Sequence, residues 1–235
     1  MQLDKLLQKH GFGTRRACRA LVRQERIAIN GQICDDPFVE LETNGLIFTV
    51  DGVDWPYAEF ASLILNKPTG YECSRKPLHH PSVLTLLPVQ LRERDVQPIG
   101  RLDEDTTGLL LITDDGQLNH VLSSAKRKVP KVYLATTKHA VDQGQVDQLL
   151  AGVLLNDEPG LISAAACEIV GENLLRITVT EGKYHQVKRM VAAAGNRVEA
   201  LHREAVGELA LPDDLKPGEW RWLTAVDLEK LGYLS

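Results

Sequence analysis

The sequence of 235 residues has no long apolar run, and this excludes whole classes of protein. No stretch approaches the roughly 20 apolar residues that a membrane-spanning helix needs. The first residues, MQLDKLLQKHGFG, also lack the uninterrupted apolar core of a signal peptide. We therefore expect a cytoplasmic protein with no membrane partner.

Cysteine is scarce, and the four cysteines are too far apart in sequence to form a CxxC pair. This pattern favours reduced thiols in a cytosolic protein over a disulfide framework. Cys73 has His79 and His80 nearby, but no fourth ligand follows at a spacing typical of zinc sites. The chain also lacks a phosphate-binding P-loop and a GxGxxG motif after a predicted strand.

Charge is unevenly distributed along the chain. The net charge of -5 taken alone would argue against a polyanionic partner. However, residues 1–30 carry seven Lys and Arg against two acids, whereas residues 31–60 carry seven acids and no Lys or Arg. This polarity predicts a two-faced module whose basic face is a candidate phosphate-binding surface.

The local pattern in this module predicts a compact unit. Leucines at helical spacing precede Thr14, a predicted N-cap for a second helix rich in arginine. Asn30 and Gly31 between two short β-rich runs predict a hairpin. Arginine pairs bidentately with phosphate, so we expect nucleic-acid contact, with a solvated basic helix as the alternative. The candidate contact residues are Lys5, Arg15, Arg16, Arg19, Arg23 and Arg26.

Predicted strands and helices mix beyond residue 58 without a regular βαβ alternation. The predicted strands are SLILN, GLLLIT, KVYLATT, CEIV and LLRITVT. The predicted helices are GQLNHVLSS, AVDQGQVDQLLAG and YHQVKRMVAAAG. This order favours an α+β fold with a mixed, largely antiparallel sheet.

The stretch GRLDEDTTGLLLITDDG concentrates five carboxylates around an apolar run. Its spacing partly matches a calcium-binding loop from Asp103 to Asp114, but Leu111 stands where an oxygen ligand belongs, and no helix pair is predicted around it. A turn accounts for Asp114 and Asp115, whose carboxylates can accept backbone N–H bonds. We expect Glu104 and Asp105 to face solvent or to fix the loop.

A catalytic role singles out Asp103, which follows Arg101 at the start of a predicted buried strand. Candidate partners elsewhere are Tyr133 in KVYLATT and the residues Lys183, His185, Lys188 and Arg189 in EGKYHQVKRM. A carboxylate beside an ammonium group stays ionised. On the properties of the residues alone, the catalytic role and a surface turn remain open for Asp103.

Several ordered motifs resemble known families. The segment LDKLLQKHGFGTRRACRALVRQERIAINGQI resembles the S4 RNA-binding domain, which indicates RNA as the partner. LNKPTGY, GRLDEDTTGLLLITDDG, KVY and EGKYHQVKRM occur in the order found in RsuA/RluA-type pseudouridine synthases. The segments AAAGNRVEALHREAVGELAL and LKPGEWRWLT resemble the branch that acts on small-subunit ribosomal RNA. Lys188 stands where most relatives carry Arg, and that branch resembles this chain in having Lys.

The resemblance implies an S4-like RNA-binding domain over residues 1–58 and a pseudouridine synthase catalytic domain over residues 59–235. It also implies isomerisation of a uridine in RNA, which conserves atoms and oxidation state and therefore needs no cofactor or metal. Asp103 would attack or stabilise the sugar, Lys188 would pair with it, and Tyr133 would stack on the uracil. Arg101 would fill the space of the flipped base. Lys131 and Arg189 are further expected RNA contacts.

The same resemblance implies 16S ribosomal RNA as the partner, with U516 as the target uridine. The substrate would be naked RNA or a small-subunit assembly intermediate, and we expect the protein to act as a monomer. Two alternatives remain at this point. One is a non-catalytic, RNA-binding ribosome-assembly factor on the same fold, and the other is a synthase of this family that acts on another RNA.

Overall fold

The computed structural model describes residues 1–233, which form two compact units. The first unit contains Met1–Ala61 with Leu87–Val96, and the second contains Ser62–Leu86 with the chain from Gln97 onward. A domain boundary at residues 58 and 59 stays a prediction, because compactness alone does not show which part folds independently. No helix within residues 1–233 is long and apolar enough to cross a membrane.

The first unit combines short helices with a small antiparallel sheet. Its elements are α1 (Leu3–Lys9), α2 (Arg15–Arg23), β1 (Ile27–Ile29), β2 (Gln32–Ile33), β3 (Ile47–Val50), β4 (Val53–Pro56) and α3 (Val89–Glu93). The strands pair in the order β2-β1-β3-β4. The predicted cap is confirmed, since the Thr14 hydroxyl accepts the Ala17 N–H at 3.3 Å. The predicted hairpin is also confirmed, with Asn30 (φ 51°) and Gly31 (φ 76°) joining β1 to β2.

The second unit is built around a large sheet. Its elements are β5 (Ser62–Lys67), β6 (Gln97–Ile99), β7 (Thr107–Thr113), α4 (Gly116–Ser123), β8 (Lys131–Thr137), α5 (Gln143–Ala151), β9 (Val153–Leu154), β10 (Leu161–Ile162), β11 (Ala166–Gly171), β12 (Leu174–Val179), α6 (Gln186–Ala193), β13 (Val198–Val206), β14 (Leu209–Ala210), β15 (Trp220–Trp222) and α7 (Ala225–Lys230). Short 3₁₀ turns span Val83–Leu86 and Ala125–Arg127.

The large sheet runs in the order β11-β12-β8-β13-β7-β5-β15, with β6 also pairing to β7 and β14 to β13. Among the described strands, only the β13–β7 pair is parallel. This arrangement confirms the predicted α+β class with a mixed, largely antiparallel sheet. β9 and β10 form a separate two-stranded ribbon.

The parallel pair at the centre of the sheet depends on one glycine. Gly108 in β7 has a φ of +103°, and a Cβ there would lie 2.3 Å from the carbonyl oxygen of Arg203 in β13. A side chain at this position would therefore push the two strands apart. The close approach fixes the start of β7, and the loop that carries Asp103 leads directly into it.

The sheet is anchored on one face by a cluster of buried apolar residues from β5, β7 and α4 together with the C-terminal part of the unit. β7 is almost entirely buried, as its sequence TGLLLIT predicts. Asp115 caps α4 by accepting the N–H groups of Gln117 and Leu118 at 2.8 and 3.2 Å, which confirms its predicted role in the turn.

Candidate active site

The Asp103 loop, residues 100–106, joins β6 to β7, and a buried ammonium group donates hydrogen bonds to its backbone. The side chain of Lys67 at the end of β5 is fully buried and donates to the carbonyl oxygens of Pro68, Glu104 and Thr106 at 3.0, 3.0 and 2.8 Å. Burial lowers the pKa of Lys67. Because these bonds go to backbone oxygens, they fix the path of the loop without using the Asp103 carboxylate.

Lys188 lies in the first turn of α6 and bridges two acids of this loop. Its ammonium donates to Oδ2 of Asp103 at 3.0 Å and to both carboxylate oxygens of Asp105 at 2.7 and 2.9 Å. Burial alone would lower the pKa of Lys188, but the two carboxylates outweigh it and raise that pKa. Burial would likewise raise the pKa of Asp105, but Lys188 outweighs it and lowers that pKa. The site therefore favours a charged ammonium on Lys188 beside a charged carboxylate on Asp105.

His185 contacts the other oxygen of Asp103. Its Nε2 lies 3.2 Å from Oδ1, so Lys188 and His185 each face one oxygen of the same carboxylate. His185 precedes α6 in the left-handed region, with a φ of 48°. From the sequence, His185 is only one of several candidate partners of Asp103, and its place within YHQVKRM is the signal that points to it.

A pocket opens over this carboxylate. Its lining includes Arg101, Asp103, Tyr133 and Lys188, so the structure brings together the residues that the resemblance implies as catalytic. Tyr133 comes from β8, where its side chain is nearly buried, while Arg101 is exposed at the loop. Glu181 also lines the pocket, and its Oε2 lies 3.6 Å from the Lys183 ammonium.

Other candidate partners of Asp103 bind elsewhere. Lys183 pairs with Glu158 at 2.6 Å. Arg189 donates to the backbone carbonyl oxygens of Tyr184 and Asn156. Both side chains therefore stabilise the surroundings of α6 instead of contacting the carboxylate.

Lys131, an expected RNA contact, has a half-buried side chain whose ammonium donates to the carbonyl of Val129 at 2.9 Å. Burial, followed by the charge of Arg203, lowers the pKa of Lys131.

Asp105 faces solvent as expected, but it also forms an ion pair with Lys188. Its side chain is 58% exposed, as expected for a residue that faces solvent, yet it also shares the Lys188 ammonium with Asp103. The sequence does not show this contact, because Lys188 lies 83 residues away along the chain.

The calcium alternative does not fit the geometry of the loop. Asp103 precedes β7 and Asp114 follows it, and a seven-residue strand separates such positions by about 20 Å. Side chains at that distance cannot coordinate one ion. Within residues 1–233, no group of three or more His, Cys, Asp or Glu side chains is placed to hold a metal ion.

The six candidate RNA contacts of the first unit divide into a paired and an unpaired group. Arg15 and Arg19 both donate to Oδ2 of the buried Asp4, at 3.2 and 2.8 Å. Arg26 forms a bidentate pair with Asp51. The basic surface, which we define as Lys5, Arg16 and Arg23, is exposed and makes no ion pair with any residue that the structure describes.

We predict that the double variant Arg16→Ala with Arg23→Ala weakens RNA binding and flattens its salt dependence. Each lost phosphate contact should reduce the slope of log K against log salt by about 1. Filter binding across a series of salt concentrations measures both quantities. The pair Arg26→Ala with Asp51→Ala is a control, because it removes arginine without removing a free cation. An unchanged slope in the Arg16 and Arg23 variant would contradict the prediction.

The Asp4 cluster should make the first unit sensitive to acid. Burial alone would raise the pKa of Asp4, but hydrogen bonds from Arg19 and Arg15 outweigh it and hold that pKa below its usual value. The folded unit therefore binds this proton less readily than the unfolded chain, so the stabilisation is present above about pH 4 and is lost as the pH falls further.

Hydrogen exchange of the α1 and α2 amides, corrected for intrinsic rates, measures this effect. We expect Asp4→Asn to lower protection at neutral pH, and the difference from the wild type to shrink below about pH 4. The exposed Asp35→Asn serves as the control. A difference that stays constant down to pH 3 would contradict the prediction.

Comparisons with known proteins agree with this geometry. Residues 61–193 match the sequence model of the RNA pseudouridylate synthase family, and residues 1–45 match that of the S4 domain. Relatives named ribosomal small subunit pseudouridine synthase A include those of Yersinia pestis, 39% identical over 99% of this chain and 98% of the relative, and Escherichia coli K12, 38% identical over 97% and 98%. A crystal structure titled pseudouridylate synthase superposes with a TM-score of 0.70 at 35% identity, covering 98% of this chain and 99% of the other.

Proposed function

The chain belongs to the RNA pseudouridylate synthase family, and from that membership we propose that it converts one uridine of 16S ribosomal RNA into pseudouridine. Its relatives are named for the ribosomal small subunit and align with it almost end to end. The S4 domain at its N-terminus supports an RNA substrate. We propose U516 as the target, and a cytoplasmic monomer as the acting species.

One observation supports the proposal at the level of individual residues. Oδ2 of Asp103 lies 3.0 Å from the Lys188 ammonium, and both side chains line the pocket that also contains Tyr133. A carboxylate that lines a pocket together with a nearly buried aromatic ring suits a reaction on the sugar of a bound nucleotide.

The reaction places specific demands on this pocket. The bond between N1 of uracil and the sugar carbon C1′ breaks, and C5 of the rotated uracil then bonds to C1′. The proton on C5 is lost and N1 gains one, so the product is an isomer of the substrate. Positive charge develops at the sugar as the first bond breaks, and a nearby carboxylate stabilises it or captures it covalently.

We assign these demands to named residues. Asp103 is the carboxylate, and Lys188 pairs with it and orients it. Tyr133 stacks on the uracil, and its hydroxyl is available for proton transfer. The target base must leave its stack to enter the pocket, which costs a few kcal/mol. Arg101 at the pocket rim is placed to fill the vacated space and to contact phosphate.

Mapping of pseudouridine in ribosomal RNA tests the proposal. Cells that lack this protein should lose one pseudouridine in 16S RNA, and a plasmid copy should restore it. The purified protein is then incubated with 16S RNA and with small-subunit assembly intermediates, which distinguishes the two possible substrates. If neither becomes modified and the cellular map is unchanged, the protein is an RNA-binding assembly factor or acts on another RNA.

A further inference from the structure

Tyr184 is a strongly exposed aromatic residue beside the pocket. It is 71% exposed, although it directly precedes His185, whose side chain lines the pocket. The Tyr184 ring stacks on the imidazole of His185, with 3.8 Å between ring centroids and 19° between planes. Since this stack covers one face of the tyrosine ring, the exposed area belongs to the opposite face and the ring edge.

The backbone that carries this ring is held in place on both sides of Tyr184. The left-handed backbone of His185, with a φ of 48°, turns the chain just before α6 and is rare for a residue other than glycine. The carbonyl oxygen of Tyr184 accepts a hydrogen bond from Arg189 at 3.3 Å. On its other side, Lys183 is tied to Glu158 at 2.6 Å. The exposed ring therefore stands on a rigid segment.

The stack continues to the reacting carboxylate. Nε2 of His185 lies 3.2 Å from Oδ1 of Asp103, so a single imidazole separates the Tyr184 ring from the proposed catalytic group. A group that stacks on the open face of Tyr184 is therefore separated from Asp103 by the tyrosine ring and the imidazole alone.

We propose that the open face of Tyr184 is a stacking subsite for a nucleobase adjacent to the target uridine. This inference rests on the proposed function, since it requires an RNA strand at the pocket. A uridine that flips into the pocket leaves its neighbours without a stacking partner, and an aromatic side chain replaces that partner. Stacking of this kind tolerates any base, because every base has a π-face.

A nucleobase suits the site better than a protein partner. Tyr184 presents one ring face beside charged and polar neighbours, including Lys183, Glu181 and Arg189, and not a continuous apolar patch. Protein interfaces of useful stability need a much larger complementary surface. A single stacked base needs only the ring.

An abasic scan combined with mutation of Tyr184 tests the subsite. The probe is the 16S RNA fragment that binds wild-type protein most tightly, with its nucleotides replaced one at a time by abasic nucleotides. We expect one abasic position, next to the target uridine, to weaken binding to the wild type about tenfold. In Tyr184→Ala, an abasic nucleotide at the same position should cause no further loss of affinity, because the stacking partner is already missing.

Additional variants separate stacking from a structural role. Tyr184→Phe and Tyr184→Trp should keep the affinity, whereas Tyr184→Leu, which lacks a ring face, should behave like Tyr184→Ala. The exposed Val226→Ala in α7 is the control and should bind every RNA like the wild type. If Tyr184→Ala responds to every abasic position as the wild type does, the subsite is refuted.

Binding and catalysis are scored separately in this experiment. If the wild type shows the expected binding pattern but forms no pseudouridine, the proposed function fails, while Tyr184 still stacks on a base of the bound RNA. If pseudouridine forms and no abasic position depends on Tyr184, the proposed function stands and the subsite fails.

Discussion

Asp103→Asn should reduce the rate of pseudouridine formation about 10⁴-fold or more, while RNA affinity stays within about threefold of the wild type. The carboxamide has the same shape as the carboxylate but no charge with which to stabilise or capture the sugar cation. Single-turnover assays with saturating protein isolate the chemical step, and filter binding measures the affinity.

The structure explains why this variant should fold. The Asp103 loop is held by bonds from Lys67 to backbone oxygens, and these bonds do not involve the Asp103 side chain. Lys188 also keeps Asp105 as a partner. A loss of activity can therefore be assigned to the chemistry.

Asp105→Asn is the matched control for Asp103→Asn. It removes a carboxylate that binds the same ammonium, and we expect it to lower the rate by about tenfold at most. Equal losses in the two variants would mean that net charge near Lys188 matters more than the identity of the carboxylate. Wild-type activity in Asp103→Asn would overturn its catalytic assignment.

Lys188→Gln should have the next largest effect, a loss of about 10²- to 10³-fold in kcat with a smaller change in KM. Removal of the ammonium leaves the carboxylates of Asp103 and Asp105 near each other without their shared cation. Without the ammonium, the two negative charges repel each other. This repulsion favours protonation of one carboxylate and displaces both side chains. The pKa of Asp105 should therefore rise in this variant, because Lys188 contributes most among the groups that lower it.

Two further variants test the electrostatic origin of this loss. Lys188→Arg should retain activity to within about tenfold, because a guanidinium can also bridge two carboxylates. Combination of Lys188→Gln with Asp105→Asn should recover part of the lost rate, since one of the two repelling charges is gone. If Lys188→Gln and Lys188→Arg are equally impaired, shape and not charge determines the role of Lys188.

Local patterns predicted many elements of the fold correctly, because the residues that decide those elements lie close together in sequence. The Thr14 cap and the Asn30–Gly31 turn depend on neighbouring backbone groups. The helix predicted over AVDQGQVDQLLAG begins only at Gln143, since the Asp142 side chain accepts the Gln145 N–H and caps it there. A capping residue therefore locates the start of a helix more precisely than the spacing of apolar residues does.

Sequence patterns do not predict β13, the strand at the centre of the sheet. Its sequence, VEALHREAV, mixes charged and apolar residues, and two irregularities interrupt its pairing with β8. Arg203 is nearly buried in this strand because its Nε donates to the carbonyl of Leu109 at 2.7 Å. No alternation in the sequence marks a strand whose charged residue is satisfied by a backbone oxygen 94 residues away.

Ion pairs between residues far apart in sequence are also not predictable from local sequence patterns. Apolar spacing in α2 predicts that its arginines lie on faces open to a ligand, but Asp4 of the preceding helix binds Arg15 and Arg19. The pairing of Lys188 with Asp103 followed from the family resemblance alone. Without that resemblance, a lysine on an amphipathic helix is an ordinary solvated residue.

The central position of β13 has a consequence for synthesis on the ribosome. Val198–Val206 lies between β8 and β7 in the sheet, yet it is among the last strands to be translated. A nascent chain that stops before this strand leaves the edges of β7 and β8 unpaired, so the pocket between the Asp103 loop and α6 has no completed sheet beneath it. Pairing between segments so distant in sequence is also slow. Activity is therefore acquired only near the end of translation, and chains truncated before β13 should be inactive.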